Sequence, residues 1–150
     1  MKTRSLPALD QFLTYRLHLV NKLTDRHSSD AYAQEFGLAV GEARCLAALG
    51  GPEAAPALSV NELAARANLN KAQASRAAQA LVGRGLVSKT TSATDRRGVT
   101  LSLTASGQTL WRSVMGLIAR RNHDIFSCLS VPEQQQLGDM LDRLIAHSRP

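Results

Sequence analysis

The chain has 150 residues, of which 44% are hydrophobic and 4% aromatic, and its formal net charge is +6. This length and composition suit one domain with its own core and exclude a disordered basic tail. The scarcity of aromatic residues argues against a single-strand binder built on base stacking, and no apolar run approaches the ~20 residues that span a bilayer.

Two amphipathic helices are predicted in the first third of the chain. Apolar residues recur at three- and four-residue steps over about 9–27, which predicts the first helix. A short break is expected at SSDAYAQEFGL. The second helix is expected over about 40–49, where the sequence GGP follows and ends it.

A capping box predicts the start of each of the next two helices. In a capping box, two side chains satisfy free backbone donors at a helix start. Ser59 and Glu62 predict a helix over about 60–67, and Asn70 and Gln73 predict one that runs to about Gly83. Two short capped helices separated by a three-residue turn indicate a helix-turn-helix.

Two alternating segments follow, at 86–90 and 99–104, and predict a β-hairpin. Their connection, residues 92–98, is polar and doubly basic, so it is expected to remain exposed. A helix-turn-helix followed by a basic hairpin indicates a winged helix.

The last two helices are predicted over about 106–129 and from a third capping box, Ser130 and Glu133, onward. The first, fifth and sixth helices carry more apolar surface than a winged-helix core can cover. We therefore expect them to bury it against a second copy of the chain.

Charge is concentrated in the middle of the sequence. Between Arg66 and Arg121 there are ten Lys/Arg and one acid, a net charge of +9, whereas the remaining residues carry −3. A one-sided basic block on a mildly acidic chain is typical of a protein that binds a polyanion.

The fourth helix separates into two faces at 100° per residue. One face is apolar and is expected to face the core: Ala74, Ala77, Ala78 and Leu81. The opposite face carries Ala72, Ser75, Arg76 and Gln79. Arginine pairs with guanine and glutamine with adenine in the major groove, while serine and lysine reach phosphates. The alternative is an ordinary solvated helix face.

Asp95 is the one acid in the basic block and adjoins Arg96. A carboxylate there can hold a neighbouring arginine extended, and an arginine on a narrow hairpin suits a minor groove. The alternative is an ordinary exposed turn with a weak ion pair.

The sequences SVNELAARANLNKAQASRAAQALVGRGLV and DRRGVTLSLTASG resemble the MarR family of bacterial transcription regulators. The resemblance extends over nearly the whole chain. It implies a winged-helix homodimer whose base is formed by the first, fifth and sixth helices, with recognition helices in successive major grooves of a pseudo-palindrome. It also implies that Asp95 orients Arg97, which enters the minor groove.

These observations predict a mainly α fold, an α+β winged helix-turn-helix with six helices and a small β-hairpin wing. One domain is expected over 1–150, with residues 40–104 as the DNA-binding part and residues 8–30 and 105–148 as dimerisation helices. The candidate DNA-binding residues are Ser59, Asn70, Lys71, Ala72, Gln73, Ser75, Arg76, Gln79, Thr94, Asp95, Arg96 and Arg97.

The resemblance also implies a small-molecule effector, often an aromatic carboxylate, in a crevice between the dimerisation helices and the winged helix. The candidate residues are Tyr15, Arg16, His18, Arg44 and Trp111. The alternative is that the two arginines form ion pairs within the chain, with Asp10, Glu35 or Glu42.

Other chemistry finds little support in the sequence. Cys45 and Cys128 show no CxxC spacing and lie in apolar stretches, so both are expected to be buried, reduced thiols rather than redox or zinc ligands. No metal, cofactor or enzymatic activity is expected, since no phosphate loop or nucleophile motif is present. We expect no secretory signal, and we expect a cytoplasmic location.

We therefore expect a homodimeric, sequence-specific regulator of transcription on double-stranded DNA, more often a repressor, that a small molecule releases. One alternative is a non-specific architectural DNA-binding protein. Another is an interaction module whose last two helices bind a different protein.

Overall fold

The computed structural model describes residues 5–53, 55–94 and 96–150. A 3₁₀ turn at Leu9–Gln11 precedes six α-helices and two strands in these ranges. The elements are α1 (Leu13–Phe36), α2 (Val40–Leu49), α3 (Val60–Ala67), α4 (Lys71–Gly83), β1 (Val87–Thr91), β2 (Val99–Leu103), α5 (Ala105–Phe126) and α6 (Val131–Ser148). The predicted winged helix-turn-helix fold is confirmed. The chain divides into two compact units, Met1–Met115 and Gly116–Pro150.

The first helix is longer than predicted, and the break expected at SSDAYAQEFGL is wrong. α1 continues to Phe36 and ends at Gly37, which adopts a left-handed conformation with φ of 63°. Within this stretch Ser28 donates its hydroxyl hydrogen to the carbonyl of Thr24, so the serine is satisfied inside the helix. Residues 13–36 contain no glycine or proline, and Gly37 is the first position after them where the chain can turn sharply at little cost.

The three predicted capping boxes are confirmed. Ser59 Oγ accepts from the Glu62 backbone N–H at 3.2 Å, and Glu62 Oε1 accepts from the Ser59 N–H at 3.1 Å. The Asn70 and Gln73 pair has the same arrangement at 2.8 and 3.1 Å. Asn68, with φ of 54°, ends α3, and Asn70 caps the start of α4. The turn between the two helices therefore lies at residues 68–70, as predicted.

The core of the first unit lies between α2, α3, α4 and the hairpin. The largest fully buried side chains of this core include Leu38, Leu46, Leu63, Leu81 and Leu101. Two backbone hydrogen bonds between Leu58 and Leu101, of 2.9 and 2.7 Å, join the segment before α3 to strand β2. The middle of strand β2 is therefore fixed to the segment that leads into the helix-turn-helix.

The antiparallel hairpin pairs Val87 with Leu103 at its base and Thr91 with Val99 toward its tip. Thr104 ties this base to α5, because its hydroxyl donates to the Gly85 carbonyl at 2.7 Å and accepts from the Gly107 N–H at 3.1 Å. Gly107 lies so close to the backbone of Leu86 that a Cβ would not fit there. The wing and the start of α5 are thus held together.

Apolar side chains of α1 and α6, which we call the outer helices, remain exposed in the single chain. Within α1, Tyr32 is the one buried residue, and α6 has none. The exposed large apolar side chains of these two helices are Leu13, Leu17, Leu19, Val20, Leu23, Val131, Met140, Leu144 and Ile145. Among the described residues, no helix is both long enough and apolar enough to cross a membrane.

Candidate DNA interface

Helix α4 has the two faces that its sequence predicts. Ala74 and Leu81 are completely buried, and Ala77 and Ala78 are nearly so. The opposite side is exposed at Ala72, Arg76 and Gln79 and half-buried at Ser75. Because small alanine side chains face the core, α4 packs closely against α2 and α3 and presents its polar face outward as a rigid surface.

The start of α4 combines a cap with exposed donors. The cap uses the side-chain oxygens of Asn70 and Gln73 and leaves their NH₂ groups outside it. Lys71 follows directly and is exposed. Amide and ammonium donors at a helix N-terminus, which itself favours negative charge, can bind a phosphate.

Ser59 does not extend this face. It is half-buried, and its hydroxyl oxygen accepts the Glu62 N–H at the start of α3. The structure therefore gives Ser59 a capping role. The predicted residues of α4 and its cap that it leaves exposed are Asn70, Lys71, Ala72, Gln73, Arg76 and Gln79.

The wing arginine Arg97 folds back toward α3. Its Nη1 donates to the Ala57 carbonyl at 3.0 Å and lies 3.5 Å from Glu62 Oε1. Thr94 and Arg96 are exposed at the tip. Asp95, predicted to orient Arg97, lies outside the described residues.

Glu62 is a functional candidate that the sequence reasoning treated only as a cap. The Ser59 backbone N–H and hydroxyl, followed by the charge of Arg97, lower the pKa of its carboxyl below the usual range. Glu62 is therefore ionised near neutral pH, and it provides a negative charge beside the wing. The position of this acid of α3 beside the wing loop was not recognisable from spacing, since the approach of Arg97 depends on the fold.

Arg84, which was also missed, connects the end of α4 to the end of α1. Its guanidinium donates to the carbonyls of Gly37 at 3.2 Å and Phe36 at 3.1 Å. These carbonyls lie at the C-terminus of α1, where the helix dipole favours a cation. The end of α4 and the end of α1 are thereby held together by one side chain.

Of the five predicted effector residues, Arg44 lines a cavity of about 610 Å³ between α1 and α2. Arg44 is also 3.5 Å from Asp25, an ion pair with a different acid from the three that were anticipated. The other side chains lining this cavity are Lys22, Leu23, Asp25, Arg26, Ser29 and Val40. Three cations and one acid give the cavity a net positive lining.

The remaining effector candidates lie elsewhere. Arg16 donates through Nε to the Asp10 carbonyl at 3.0 Å, and His18 is exposed while Tyr15 is half-buried. The indole N–H of Trp111 donates to the Ala47 carbonyl at 3.2 Å, and its ring covers Gly50 so closely that a Cβ there would clash. Trp111 therefore packs α5 against the end of α2, and Gly50 leaves the space for it.

The two cysteines differ, although both were expected to be buried. Cys45 is completely buried, and burial, with a smaller contribution from Glu42, raises the pKa of its thiol to about 11. Cys128 is exposed, so the prediction is wrong for that residue. It follows α5 in a short turn before α6, where no core covers it. In the described parts of the chain, no three His, Cys, Asp or Glu side chains are grouped as a metal site.

The chain is similar to known proteins over most of its length. A profile of the MarR family matches residues 36–98. A crystal structure of a MarR/EmrR family transcriptional regulator from Acinetobacter sp. ADP1 aligns with a TM-score of 0.80 and 26% identity, covering 94% of this chain and 97% of that one. No curated protein sequence matches the chain.

Two further structures share this fold. A MarR family transcriptional regulator from Silicibacter pomeroyi DSS has a TM-score of 0.81 and 22% identity, covering 99% and 98% of the two chains. A Mycobacterium tuberculosis MarR family protein, solved in complex with salicylic acid, has a TM-score of 0.71 and 27% identity, covering 92% and 99%.

Proposed function

We propose that this chain is a MarR-family transcription regulator, as the profile match over residues 36–98 supports, and that it binds a specific double-stranded DNA site as a homodimer in the cytoplasm. Residues 40–104 form the DNA-binding part, and residues 8–30 and 105–148 form the dimerisation helices. The bound dimer represses transcription, and a small molecule releases it. The observation that carries the proposal is the exposed Arg76 and Gln79 face of α4, backed by a fully packed alanine face.

Arg76 and Gln79 read bases in the major groove, because arginine and glutamine form paired hydrogen bonds with guanine and adenine edges. Lys71 and the amides of Asn70 and Gln73 hold phosphates at the N-terminus of α4. Thr94, Arg96 and Arg97 extend the contact through the wing into the adjacent minor groove, where arginine is favoured.

A second copy of the chain covers the apolar side chains that α1 and α6 expose. Among the residues that the structure describes, twelve large apolar residues are at least 39% exposed, and nine of them lie on these two helices. Exposed apolar surface of this kind on one chain favours a protein interface, and two-fold pairing is the commonest solution. A two-fold axis sets the two half-sites about 10 bp apart.

The effector is an aromatic carboxylate bound in the cavity between α1 and α2. Its carboxylate pairs with Arg44. An aromatic carboxylate is chosen because one structure with this fold was solved in complex with salicylic acid. Binding competes with the Arg44–Asp25 ion pair and shifts α1 relative to α2. The effector weakens DNA binding only by its preference for the conformation that does not bind DNA.

The experiment that tests DNA recognition is fluorescence anisotropy of the full chain on its own upstream intergenic DNA and on a shuffled duplex, from 50 to 300 mM salt. We expect an affinity difference of roughly 10³ or more near physiological salt. Equal affinity for both duplexes with a steep salt dependence would instead identify the alternative, a non-specific architectural protein.

Salicylate then serves as the probe of the cavity. We expect it to release the specific duplex from the wild-type protein and to have a much weaker effect on Arg44→Met. Arg16→Met is the matched control, because Arg16 is a cation of α1 that bonds the Asp10 carbonyl outside this cavity. Equal salicylate sensitivity in all three proteins would rule out Arg44 as the carboxylate ligand.

A further inference from the structure

Arg97, which we assign to DNA, already has protein partners in the structure without DNA. Its Nη1 donates to the Ala57 carbonyl at 3.0 Å and faces Glu62 Oε1 at 3.5 Å. The side chains of Arg97 and Glu62 are 43% and 44% exposed, so the contact lies at the surface. Solvent and a competing anion can therefore reach it.

Two local features fix Glu62 in this position. Its carboxylate accepts the Ser59 N–H at 3.1 Å in the capping box of α3, which limits where the side chain can point. The antiparallel pairing of Leu58 with Leu101 places α3 and the wing loop on the same side of that pair. The cap thus fixes the Glu62 side chain, and the Leu58–Leu101 pairing fixes the wing loop next to it.

A guanidinium has a fixed set of donors, and Nη1 is occupied by these two acceptors. Arg97 cannot give the same N–H groups to base edges or phosphates while it remains there. Moving it into a groove therefore breaks the contact with the ionised carboxylate of Glu62.

We propose that Glu62 is a positioning residue for the wing, whose carboxylate holds Arg97 against α3 and must release it before Arg97 can contact DNA. This inference rests on the proposed DNA-binding function. An exposed ion pair of ordinary strength populates the held position enough to reduce the apparent DNA affinity about two- to sixfold. Glu62 therefore keeps the DNA affinity of the wing below the value that an unrestrained Arg97 would give.

The test is a double-mutant cycle on the specific duplex, measured by anisotropy at low salt with the full chain. Glu62→Gln keeps the capping box, because glutamine serves at this position as well as glutamate. We expect Glu62→Gln to tighten binding about two- to sixfold in the wild-type background and to leave Arg97→Ala unchanged. Arg97→Ala by itself weakens binding.

The same cycle separates the proposal from simple charge repulsion. Removing any acid near DNA can raise affinity, but a repulsive effect would be equal with and without Arg97. An equal gain in both backgrounds, or no gain in either, would overturn the proposal. Glu133→Gln is the matched control, since it removes the same charge from the same type of capping box in α6, and we expect no change in affinity.

A measurement without DNA distinguishes failure of this inference from failure of the proposed function. We expect the pKa of Glu62, followed by carboxyl NMR, to rise in Arg97→Ala because the nearby positive charge is lost. An unchanged Glu62 titration would show that Arg97 is not held there. Absence of duplex binding by every variant would instead reject the proposed function, and the positioning role with it.

Discussion

The winged helix and the outer helices of this chain use apolar residues in opposite ways. In the winged helix, the leucines of α2, α3 and α4 are buried, and Leu46, Leu63 and Leu81 are completely so. In α1 and α6, by contrast, Leu13, Leu17, Leu23 and Leu144 are half or more exposed. The periodicity is the same in both regions, so amphipathic spacing indicates which side of a helix will be covered without specifying what covers it.

This difference separates two kinds of stability. The winged helix completes its core within one chain, so its unfolding should depend on its own packing. In the proposed dimer the outer helices complete theirs against the second copy, so their order should depend on protein concentration. Substitutions in each region can therefore be told apart by how their effects vary with concentration.

The largest effect is expected from a cavity in the winged-helix core. Leu63→Ala removes a completely buried side chain and should lower the free energy of unfolding by about 2–5 kcal/mol at any protein concentration. Chemical denaturation followed by circular dichroism measures it. Leu6→Ala, at a position that is 88% exposed, is the control and should change the midpoint little. Equal losses from both would contradict the assigned core.

The second effect is expected on α1. Leu13, which is 73% exposed, lies on the apolar stripe, and Leu13→Glu would place a charge in the proposed dimer interface. We expect the dimer dissociation constant to rise about 100-fold or more, because an unpaired buried charge costs several kcal/mol. Analytical ultracentrifugation measures it. His18→Glu, on the opposite face of α1, should leave the dimer intact, and equal dissociation by both would remove the stripe from the interface.

The third effect concerns the polar surface of the winged helix, which should be separable from its core. Arg76→Ala should weaken specific DNA binding by about 1–3 kcal/mol and the shuffled duplex much less, with stability unchanged. Lys71→Ala is the comparison, because a phosphate contact should weaken both duplexes alike. Anisotropy on the two duplexes gives the answer. If Arg76→Ala behaved like Lys71→Ala, Arg76 would not read bases.

A fourth, smaller effect is expected where the two regions are joined. Arg84→Ala removes the hydrogen bonds to Phe36 and Gly37 and should cost about 1 kcal/mol, with faster hydrogen exchange at the end of α1. Arg84→Lys keeps the charge but loses the forked geometry, so it should recover only part of the stability. Full recovery by lysine would mean that charge alone, rather than the paired geometry, joins the helices.

The smallest effect is expected on the pH dependence of stability, through Glu133 at the start of α6. The Ser130 backbone N–H, then its hydroxyl, lowers the pKa of Glu133. The ionised form is therefore favoured by folding, and this contribution is present above the usual glutamate pKa and lost as pH falls through the lowered one. Glu133→Gln should remove that part of the acid dependence between neutral pH and pH 3, followed by thermal unfolding. Asp142→Asn, on the same helix but outside the cap, should retain it.

Much of the fold was predictable because its signals are local. The capping pairs at Ser59, Asn70 and Ser130 act over three residues, and α3, α4 and α6 begin where these pairs predict. The faces of α4 were also predictable, since helical geometry alone determines which residues share a side. The break expected before Gly37 was wrong because polar residues such as Ser28 and Asp30 are tolerated in a helix whose side faces solvent.

The structure does not bring the five predicted effector residues together, for a physical reason. Arg16, Arg44 and Trp111 were chosen for unusual residue type, but the space into which a side chain projects depends on the packing of distant elements. The packing places Trp111 on Gly50 and groups Arg44 with Lys22 and Arg26 instead. Cys128 was misjudged in the same way, because an apolar local sequence does not guarantee a core above it.

The amino-acid sequence by itself determined the order of the elements, the helix starts, the basic block and the polar face of α4, because each depends on neighbours within one or two helical turns. The tertiary structure decided which long-range partners meet. It brought Arg97 to Glu62 and Arg84 to the end of α1, and it left the stripe on α1 uncovered. These contacts join residues 35 to 48 positions apart, and only the packed backbone brings such residues within hydrogen-bond distance.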